Sequence, residues 1–352
     1  SWRLFCWLLP AWDLHMNSVK AGIYGATGYT GYELATILWR HPRAEIGFAT
    51  SQSYAGQSLR DNYPAGPDLA LIDPQDADPG SVDVVFLCLP HAASAATAVI
   101  ALEAGARVID LSADFRLEEK DIYEEWYKVK HPAPHLLGEA VYGLTEFARE
   151  DLRGARLVAN PGCYTTTTLL ALQPLMQAQV QVAGDIIVDA KSGVSGAGRA
   201  PKTKTSFVEV ANNFSPYGIG RSHRHLPEME QVIGWWHERP PRLIFSPHLL
   251  PVPRGILANI YVSGTENWSE SDVRALYAAT YDNEQFVDLL PARELATLAH
   301  VVHTNKCVLS LTFAGKSLII TSALDNLVKG AAGQAAQNMN AMLDWPEELG
   351  LL

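Results

Sequence analysis

Cys163 is the residue in this chain best placed to be a nucleophile. It closes the segment Asn160-Pro-Gly-Cys163, between Leu157-Val-Ala159, which reads as a strand end, and a helix start running from Tyr164 through Thr165 to Thr168 into Leu169-Leu-Ala-Leu-Gln-Pro174. A cysteine at a helix N-terminus lies in positive potential, which favours the thiolate. Such placement is expected to lower its pKa from about 8.5 into the range of roughly 3.5 to 7.5. Pro161-Gly162 forces a turn that exposes the side chain. A small buried hydrophobe is the alternative for any one cysteine. It is the reading adopted for Cys88 and Cys307, which lie inside apolar strand runs.

Proton transfer points to His223-Arg-His225-Leu-Pro-Glu228. Residues two apart in an extended segment share a face, so both histidines could reach one cleft. Pro227 suits the first turn of a helix continued by Glu228, Met229, Val232 and Ile233, which places His225 just ahead of a helix N-terminus. The positive dipole end disfavours imidazolium, so His225 is the expected acid/base group. Glu228, folding back, would fix the ring tautomer and leave His223 or Arg224 to meet substrate charge; His223 and Glu228 are both assigned to the substrate. Two histidines at this spacing could also hold a metal, but no third ligand stands at a familiar distance, and no metal site is expected. His300-Val-Val-His303 reads as surface.

Two further segments suit an anionic substrate. Asp110-Leu-Ser-Ala-Asp-Phe-Arg116 begins at the carboxyl end of a parallel strand, where open α/β sheets bind ligands. Arg116 offers a planar fork for a phosphoryl group; the alternative is an exposed arginine beside a helix-capping aspartate. Lys191-Ser-Gly-Val-Ser-Gly-Ala-Gly-Arg199, with Lys202 and Lys204 close by, is a glycine and serine loop that could wrap a nicotinamide or a phosphate, or be a flexible turn. Here Lys191 is assigned to the substrate, and Ser195 and Gly196 to a cofactor.

The elements that must hold these groups begin with a strand from Lys20 to Tyr24. Gly25-Ala-Thr-Gly28-Tyr-Thr-Gly31 follows at once, and Leu34, Ile37 and Leu38 mark a helix over Tyr32 to Arg40, ending before Pro42. Strand, glycine loop and helix are the context in which a backbone can approach a pyrophosphate. Gly25, Thr27, Gly28, Tyr29, Thr30 and Gly31 are therefore the expected cofactor contacts, although G-x-x-G-x-x-G differs from the commoner spacing and a ligand-free turn is the alternative. A second strand, Glu45 to Ala49, ends in Thr50-Ser-Gln-Ser53 where an NAD site usually carries an acid. Ser51 and its neighbours tolerate a 2′-phosphate, which favours NADP, but no arginine stands beside them. Val82 to Leu89 is a continuous apolar run ending at Pro90-His91, also assigned to the cofactor. An alanine-rich helix to about Ala104 and a strand over Val108 to Leu111 complete another βαβ unit.

After about Asn160 the strands Asp185 to Ala190, Leu243 to Ser246, Ile256 to Val262, Lys306 to Phe313 and Leu318 to Ala323 have fewer helices between them. The expected fold is a Rossmann-type doubly wound parallel sheet plus a second α+β domain with a mixed or antiparallel sheet. The first domain spans residues 16–160, joined by a C-terminal helix within 326–352, and the second spans 161–325. Residues 1–15 carry Trp2, Phe5, Trp7, Leu8, Leu9 and Trp12 behind Arg3, a pattern that hints at a signal peptide. Pro10 and Trp12 interrupt it and no small-residue cleavage site follows, so it is set aside as an extension outside the fold, too short to span a bilayer.

Composition narrows the partners. With 48% hydrophobic residues in 352, a large core is available. A formal net charge of -11 disfavours nucleic acid or an anionic membrane, so lysines and arginines must act locally on any anion. Four scattered cysteines without a C-x-x-C pair fit a reducing, cytoplasmic setting.

Taken together, Gly25 to Gly31, Asp110 to Arg116, Ala140-Val-Tyr-Gly-Leu-Thr-Glu146, Asn160 to Cys163, Lys191 to Arg199, His223 to Glu228, Pro253-Arg-Gly255 and Asp325-Asn-Leu-Val-Lys-Gly330 resemble the N-acetyl-gamma-glutamyl-phosphate reductase family of arginine biosynthesis, over residues 16–352. The resemblance implies an NADP-binding Rossmann domain, a catalytic second domain that forms a homodimer or homotetramer, and reduction of N-acetylglutamyl 5-phosphate to its semialdehyde. It carries the nucleophile onto Cys163, the acid/base group onto the His223/His225 motif, and a cofactor contact onto Asn326. The implied chemistry is displacement of phosphate by the Cys163 thiolate, with Arg116 orienting the acyl phosphate, then reduction of the thioester. A related reductase of lysine biosynthesis lacks the Asn-Pro before its Gly-Cys, and aspartate-semialdehyde dehydrogenase shares the logic without these motif spellings. A non-catalytic NADPH-binding redox sensor is the alternative from a different class, against which Cys163, His225 and Arg116 argue.

Overall fold

The computed structural model describes residues 18–264 and 268–352, so the expectation for residues 1–15 lies outside the described residues. Two sheets organise the chain. The first is six-stranded, with β1 (Val19–Tyr24), β2 (Ala44–Ala49), β3 (Val84–Leu87), β4 (Arg107–Asp110), β5 (Val141–Tyr142) and β6 (Leu157–Ala159) in the order β2-β1-β3-β4-β6-β5. All its pairings are parallel. A strand covered on both faces needs an unbroken apolar run, and all four residues of β3 are buried. The connections reverse direction between β1 and β3, which opens a crevice at their carboxyl ends.

Into that crevice leads α1 (Tyr29–Arg40). It starts three residues earlier than the apolar spacing predicts, so Tyr29, Thr30 and Gly31 form its first turn. The cause is steric. Gly25 has φ of 79°, and a Cβ on Gly31 would lie 2.3 Å from the Gly25 carbonyl oxygen, so the glycines let the helix begin directly over the turn. The short α2 (Leu59–Asn62) and the alanine-rich α3 (Ala93–Glu103) follow, then α4 (Lys120–Tyr127) and α5 (Thr145–Leu152).

The second sheet is seven-stranded and mixed. It contains β7 (Ile186–Ser192), β8 (Ser215–Pro216), β9 (Leu243–Leu249), β10 (Ile256–Ser263), β11 (Val287–Leu289), β12 (Cys307–Ala314) and β13 (Ser317–Leu324), in the order β11-β12-β13-β10-β7-β9-β8. Burial alternates along β7 and β10, because only one face is covered by helices. The covering helices are α6 (Cys163–Gln177), α8 (Leu226–Trp236) and α9 (Glu270–Tyr281); α7 (Phe207–Val210) is a short exposed turn. Ile186, Val188 and Ala190 of β7 join the core beneath α6, whereas Ile187 and Ile244 remain exposed on the outer face.

Helix α6 runs through Pro174, which removes one backbone donor and leaves the Leu170 carbonyl without its helical partner. Tyr281 Oη donates to that carbonyl at 2.5 Å, and Tyr277 Oη donates to the next, Ala171, at 2.6 Å. Tyr281 thus replaces the donor that the proline takes away, Tyr277 anchors the next carbonyl, and the helix continues.

The chain returns to the first sheet through a π-helical turn, Val328–Ala332, and α10 (Gly333–Met342). Ala335 and Met339 enter the core under α1. The polar residues of α10 are also buried, and each finds partners. Asn338 Nδ2 donates to the Gly143 carbonyl at 2.8 Å and to Asn160 Oδ1 at 3.0 Å. Lys329, fully buried, donates to Glu146 Oε1 at 2.5 Å and Gln337 Oε1 at 2.7 Å, the pairing a buried ammonium requires. Among the described residues no helix is long and apolar enough to cross a membrane.

Candidate active site

The turn between β6 and α6 places Cys163 at a helix start, where the spacing puts it. Gly162 is the N-cap, with φ -70° and ψ 147°, and Cys163 is the first residue of the helix. Asn160 is held on every side: its N–H donates to the Asp110 carbonyl at 2.8 Å, its carbonyl accepts from Arg116 Nε at 2.7 Å, and its amide donates to the Ala331 carbonyl at 3.2 Å. From the other flank the π-turn presses in, since a Cβ on Gly330 would lie 2.8 Å from Cys163 Cβ.

His225 is the N-cap residue of α8, with Pro227 in the first turn, as the sequence implies. A Cβ added to Gly162 would lie 2.7 Å from His225 Nε2 and 3.0 Å from Arg116 Nη1. Imidazole and guanidinium therefore converge on the residue immediately before the cysteine. His223 packs edge-on to His225, with centroids 4.9 Å apart, and its Nδ1 accepts the His225 N–H at 3.1 Å. Burial, with His223 and Arg116 nearby, pushes the His225 pKa well below its ordinary value, and burial pushes that of His223 down to about 4. The neutral imidazole expected from the helix dipole is present, but burial is its principal cause.

Four expectations need correction. The Cys163 thiol is not depressed: burial pushes it up to about 11, overriding the opposing pull of Arg116 and of the Tyr164 N–H. Glu228 does not reach the imidazole. Its Oε1 accepts from the Gly162 N–H at 2.8 Å and from Tyr142 Oη at 2.8 Å, while Oε2 faces Arg116 Nη1 at 3.6 Å. His225 Nδ1 is left buried without a hydrogen-bond partner. Arg116 is neither exposed nor an open fork: it is 8% exposed, with Nε on Asn160 and Nη2 on the Leu111 carbonyl at 2.9 Å, so Nη1 is what it turns toward Gly162. Lys191 lies on the outer face of β7, bonded to Asp189, and is not brought to Cys163, because strand alternation sends its neighbours Ala190 and Ser192 inward instead.

On the cofactor side the glycine turn fits a dinucleotide. A Cβ on Gly25 would lie 2.4 Å from the Cys88 carbonyl oxygen, whereas one on Gly28 would meet only the Gly25 carbonyl at 3.6 Å. Gly28 caps α1 without any side-chain bond, which leaves the first N–H groups of the helix, from Tyr29 to Gly31, facing the crevice. Thr27 Oγ1 and Ser51 Oγ pair at 2.9 Å at the end of β2. The Lys191–Arg199 loop reaches over this turn. Asn326 spends its amide on that loop, donating to Ser195 Oγ at 3.0 Å and accepting from the Gly255 N–H at 2.7 Å, so it ties Ser195 and Gly196 in place.

Pro90 is exposed at the crevice edge. The His91 ring meets Tyr127 at 4.8 Å, and burial with Arg224 and Arg116 nearby pushes it down to about 4. It is pinned by Ala92, whose φ of 68° is held by a bond from its N–H to Asp114 Oδ1 at 3.0 Å. Tyr142, Asn338 and Gly330 carry no local signal of their part in the site. Their partners lie far off in the chain, although Tyr142 and Gly330 fall inside stretches that carried the family resemblance. Among the described residues no three His, Cys, Asp or Glu side chains converge as metal ligands.

Residues 20–155 match the semialdehyde dehydrogenase NAD binding domain, and residues 163–326 match the semialdehyde dehydrogenase dimerisation domain. The chain is 46% identical to the N-acetyl-gamma-glutamyl-phosphate reductase of Symbiobacterium thermophilum over 340 residues, covering 95% of this chain and 98% of that one. It is 44% identical to the enzyme of the same name from Campylobacter jejuni subsp. doylei over 335 residues, again 95% and 98%. In fold it is similar to aspartate semialdehyde dehydrogenase II of Vibrio cholerae complexed with ASA, at a TM-score of 0.71 and 20% identity, covering 92% of this chain and 98% of that one. The Candida albicans aspartate semialdehyde dehydrogenase with NADP superposes with a TM-score of 0.65 at 16% identity, covering 92% and 98%.

Proposed function

The chain belongs to the N-acetyl-gamma-glutamyl-phosphate reductase family, and from that membership we propose that Cys163, His225 and Arg116 carry out the NADPH-dependent reduction of N-acetyl-L-glutamyl 5-phosphate to N-acetyl-L-glutamate 5-semialdehyde and phosphate. The observation that carries the assignment of roles is the convergence of His225 Nε2 and Arg116 Nη1 on Gly162, at the helix start that presents Cys163.

With a thiol pushed up and an imidazole pushed down, the resting pair is neutral. His225 Nε2 takes the thiol proton as Sγ attacks the acyl carbon, the bond to the phosphate oxygen breaks, and a thioester forms on Cys163. Arg116 Nη1 and the first N–H groups of α6 meet the negative charge that develops on the carbonyl oxygen and the departing phosphate. NADPH, when bound, would supply the hydride for reduction of this thioester. As the resulting thiohemiacetal collapses to the aldehyde, the released thiolate recovers its proton from His225. The cofactor would be held by the Gly25–Gly31 turn, by Ser51 and by the loop around Ser195 and Gly196. Glu228, through the Gly162 N–H, fixes the turn and not the substrate.

Residues 16–160 with 326–352 act as the cofactor-binding domain, and 161–325 as the catalytic and oligomer-forming one. The chain works in the cytoplasm as a homodimer or homotetramer; the match to a dimerisation domain and the exposed Ile187 and Ile244 on the uncovered face of the second sheet support self-association. The test is the reverse reaction with N-acetylglutamate semialdehyde, phosphate and NADP, set against aspartate semialdehyde. The expected outcome is phosphate-dependent NADP reduction with the acetylated substrate only. Equal use of aspartate semialdehyde, or no phosphate dependence, would overturn the assignment.

A further inference from the structure

The end of β2 supplies no charge to meet a 2′-phosphate, but the opposite half of the molecule does. Arg199 Nη1 donates to the Thr27 carbonyl at 2.8 Å across 172 residues of sequence. Its guanidinium lies over the Tyr63 ring at 4.7 Å and the Tyr54 ring at 5.4 Å. Tyr63 in turn stacks on Tyr32 at 3.9 Å and donates to the same Thr27 carbonyl at 3.1 Å. Arg199 thus stands beside the Thr27–Ser51 hydroxyl pair, where a Rossmann turn places the adenosine ribose. Among the described residues no carboxylate pairs with it; Glu33, which lines the same cavity, is paired with Arg254 at 2.7 Å. It also lines a cavity of about 420 Å³, with Lys202 and Thr205 on its own side and Tyr29, Tyr32 and Tyr63 across from them.

We propose that Arg199 reads the 2′-phosphate of NADP, so that the choice between NADP and NAD is made by a residue of the second half of the chain, and the phosphate ties the two halves together. The inference rests on the NADP assignment above and names the residue behind it. A guanidinium held over two tyrosine rings and bonded to the Thr27 carbonyl is already restrained, so little side-chain freedom is lost when it meets a phosphate. NADH has no group to meet it. Were Arg199 only a tie between its loop and the Thr27 carbonyl, its loss would weaken both nucleotides alike.

The experiment compares equilibrium binding of NADPH and NADH to the full chain, followed by nucleotide fluorescence, for wild type, Arg199→Gln and Arg199→Lys. Adenosine 2′,5′-bisphosphate and AMP serve as competitors that lack nicotinamide. Losing a charge-assisted pair of hydrogen bonds should weaken NADPH and the bisphosphate about 10- to 100-fold in Arg199→Gln, leaving NADH and AMP within about 3-fold. Arg199→Lys should fall between, since it keeps the charge without the fork. Retained NADH binding shows that each variant is folded. A parallel loss for NADPH and NADH, or an undiminished NADPH preference in Arg199→Gln, overturns the inference while leaving the NADP assignment intact. A wild-type chain without NADPH preference overturns both.

Discussion

Two turns in this molecule are built alike and used differently. Gly28, between β1 and α1, and Gly162, between β6 and α6, are both N-caps in extended conformation, with φ and ψ of -69° and 162° against -70° and 147°, and neither helix has a side-chain cap. At Gly28 the space above the turn is open, and the free N–H groups suit an anion brought from solution. At Gly162 the anion is built in: the Glu228 carboxylate takes the N–H, and His225 and Arg116 fill the space above. A glycine N-cap on a parallel strand offers positive potential, and the surrounding packing decides how much of it is left for a ligand.

The sharpest way to break the second turn is Cys163→Ser, which should lower kcat at least about 10³-fold while NADPH binding, measured by fluorescence, stays near wild type. Substantial residual turnover would remove Cys163 from the chemistry. His225→Asn should cost about 100-fold or more in kcat, the usual loss for an acid/base group. If His223→Asn does this and His225→Asn does not, the two roles are exchanged. The paired glycine substitutions test the comparison itself. Both positions have negative φ, so alanine is conformationally allowed. Gly162→Ala drives a methyl into His225 and Arg116, and the resulting displacement should lower kcat about 10- to 100-fold with little change in NADPH binding. Gly28→Ala has room, and should raise the NADPH dissociation constant only about 3- to 10-fold with kcat nearly unchanged. Equal effects on kcat would show that the two turns do not differ in the way described.

The smallest effect expected is on pH. A base must be neutral to accept a proton, and His225 titrates well below its ordinary range, so kcat/KM should hold level as pH falls from 8 to 6. With the thiol near 11, alkylation of Cys163 by iodoacetamide should be slow at pH 7 and still rising between pH 9 and 10. A plateau reached by pH 8 would mean that the helix dipole and Arg116 outweigh burial.

Much of the site was legible because its devices are local. Strand, glycine turn and helix follow one another within about a dozen residues at Gly25–Gly31 and Asn160–Cys163, and Pro227 marks the helix that positions His225. The contrast between an unbroken apolar β3 and an alternating β7 separates the parallel sheet from the one with an open face. These features depend on backbone sterics, glycine conformations and residue period, all of which act between near neighbours in the chain.

What escaped the sequence depends on distance in space. Glu228 bonds Gly162 across 66 residues, Asn338 bonds Asn160 across 178, and Arg199 crosses 172 to Thr27. Lys191 stands eight residues before Arg199 but still on β7, where strand alternation turns it to the outer face. The Cys163 shift has the opposite sign to the one its helix position implies, because desolvation sums over every residue that packs around the thiol, whereas the dipole belongs to one helix. The amino-acid sequence alone determined which residues could be a nucleophile, an acid/base group and a phosphate cradle, since those are properties of residue type and local turn. Which of them meet, and in what state of charge, was decided by the tertiary structure, since hydrogen-bond partners and exclusion of water arise only when distant segments pack together.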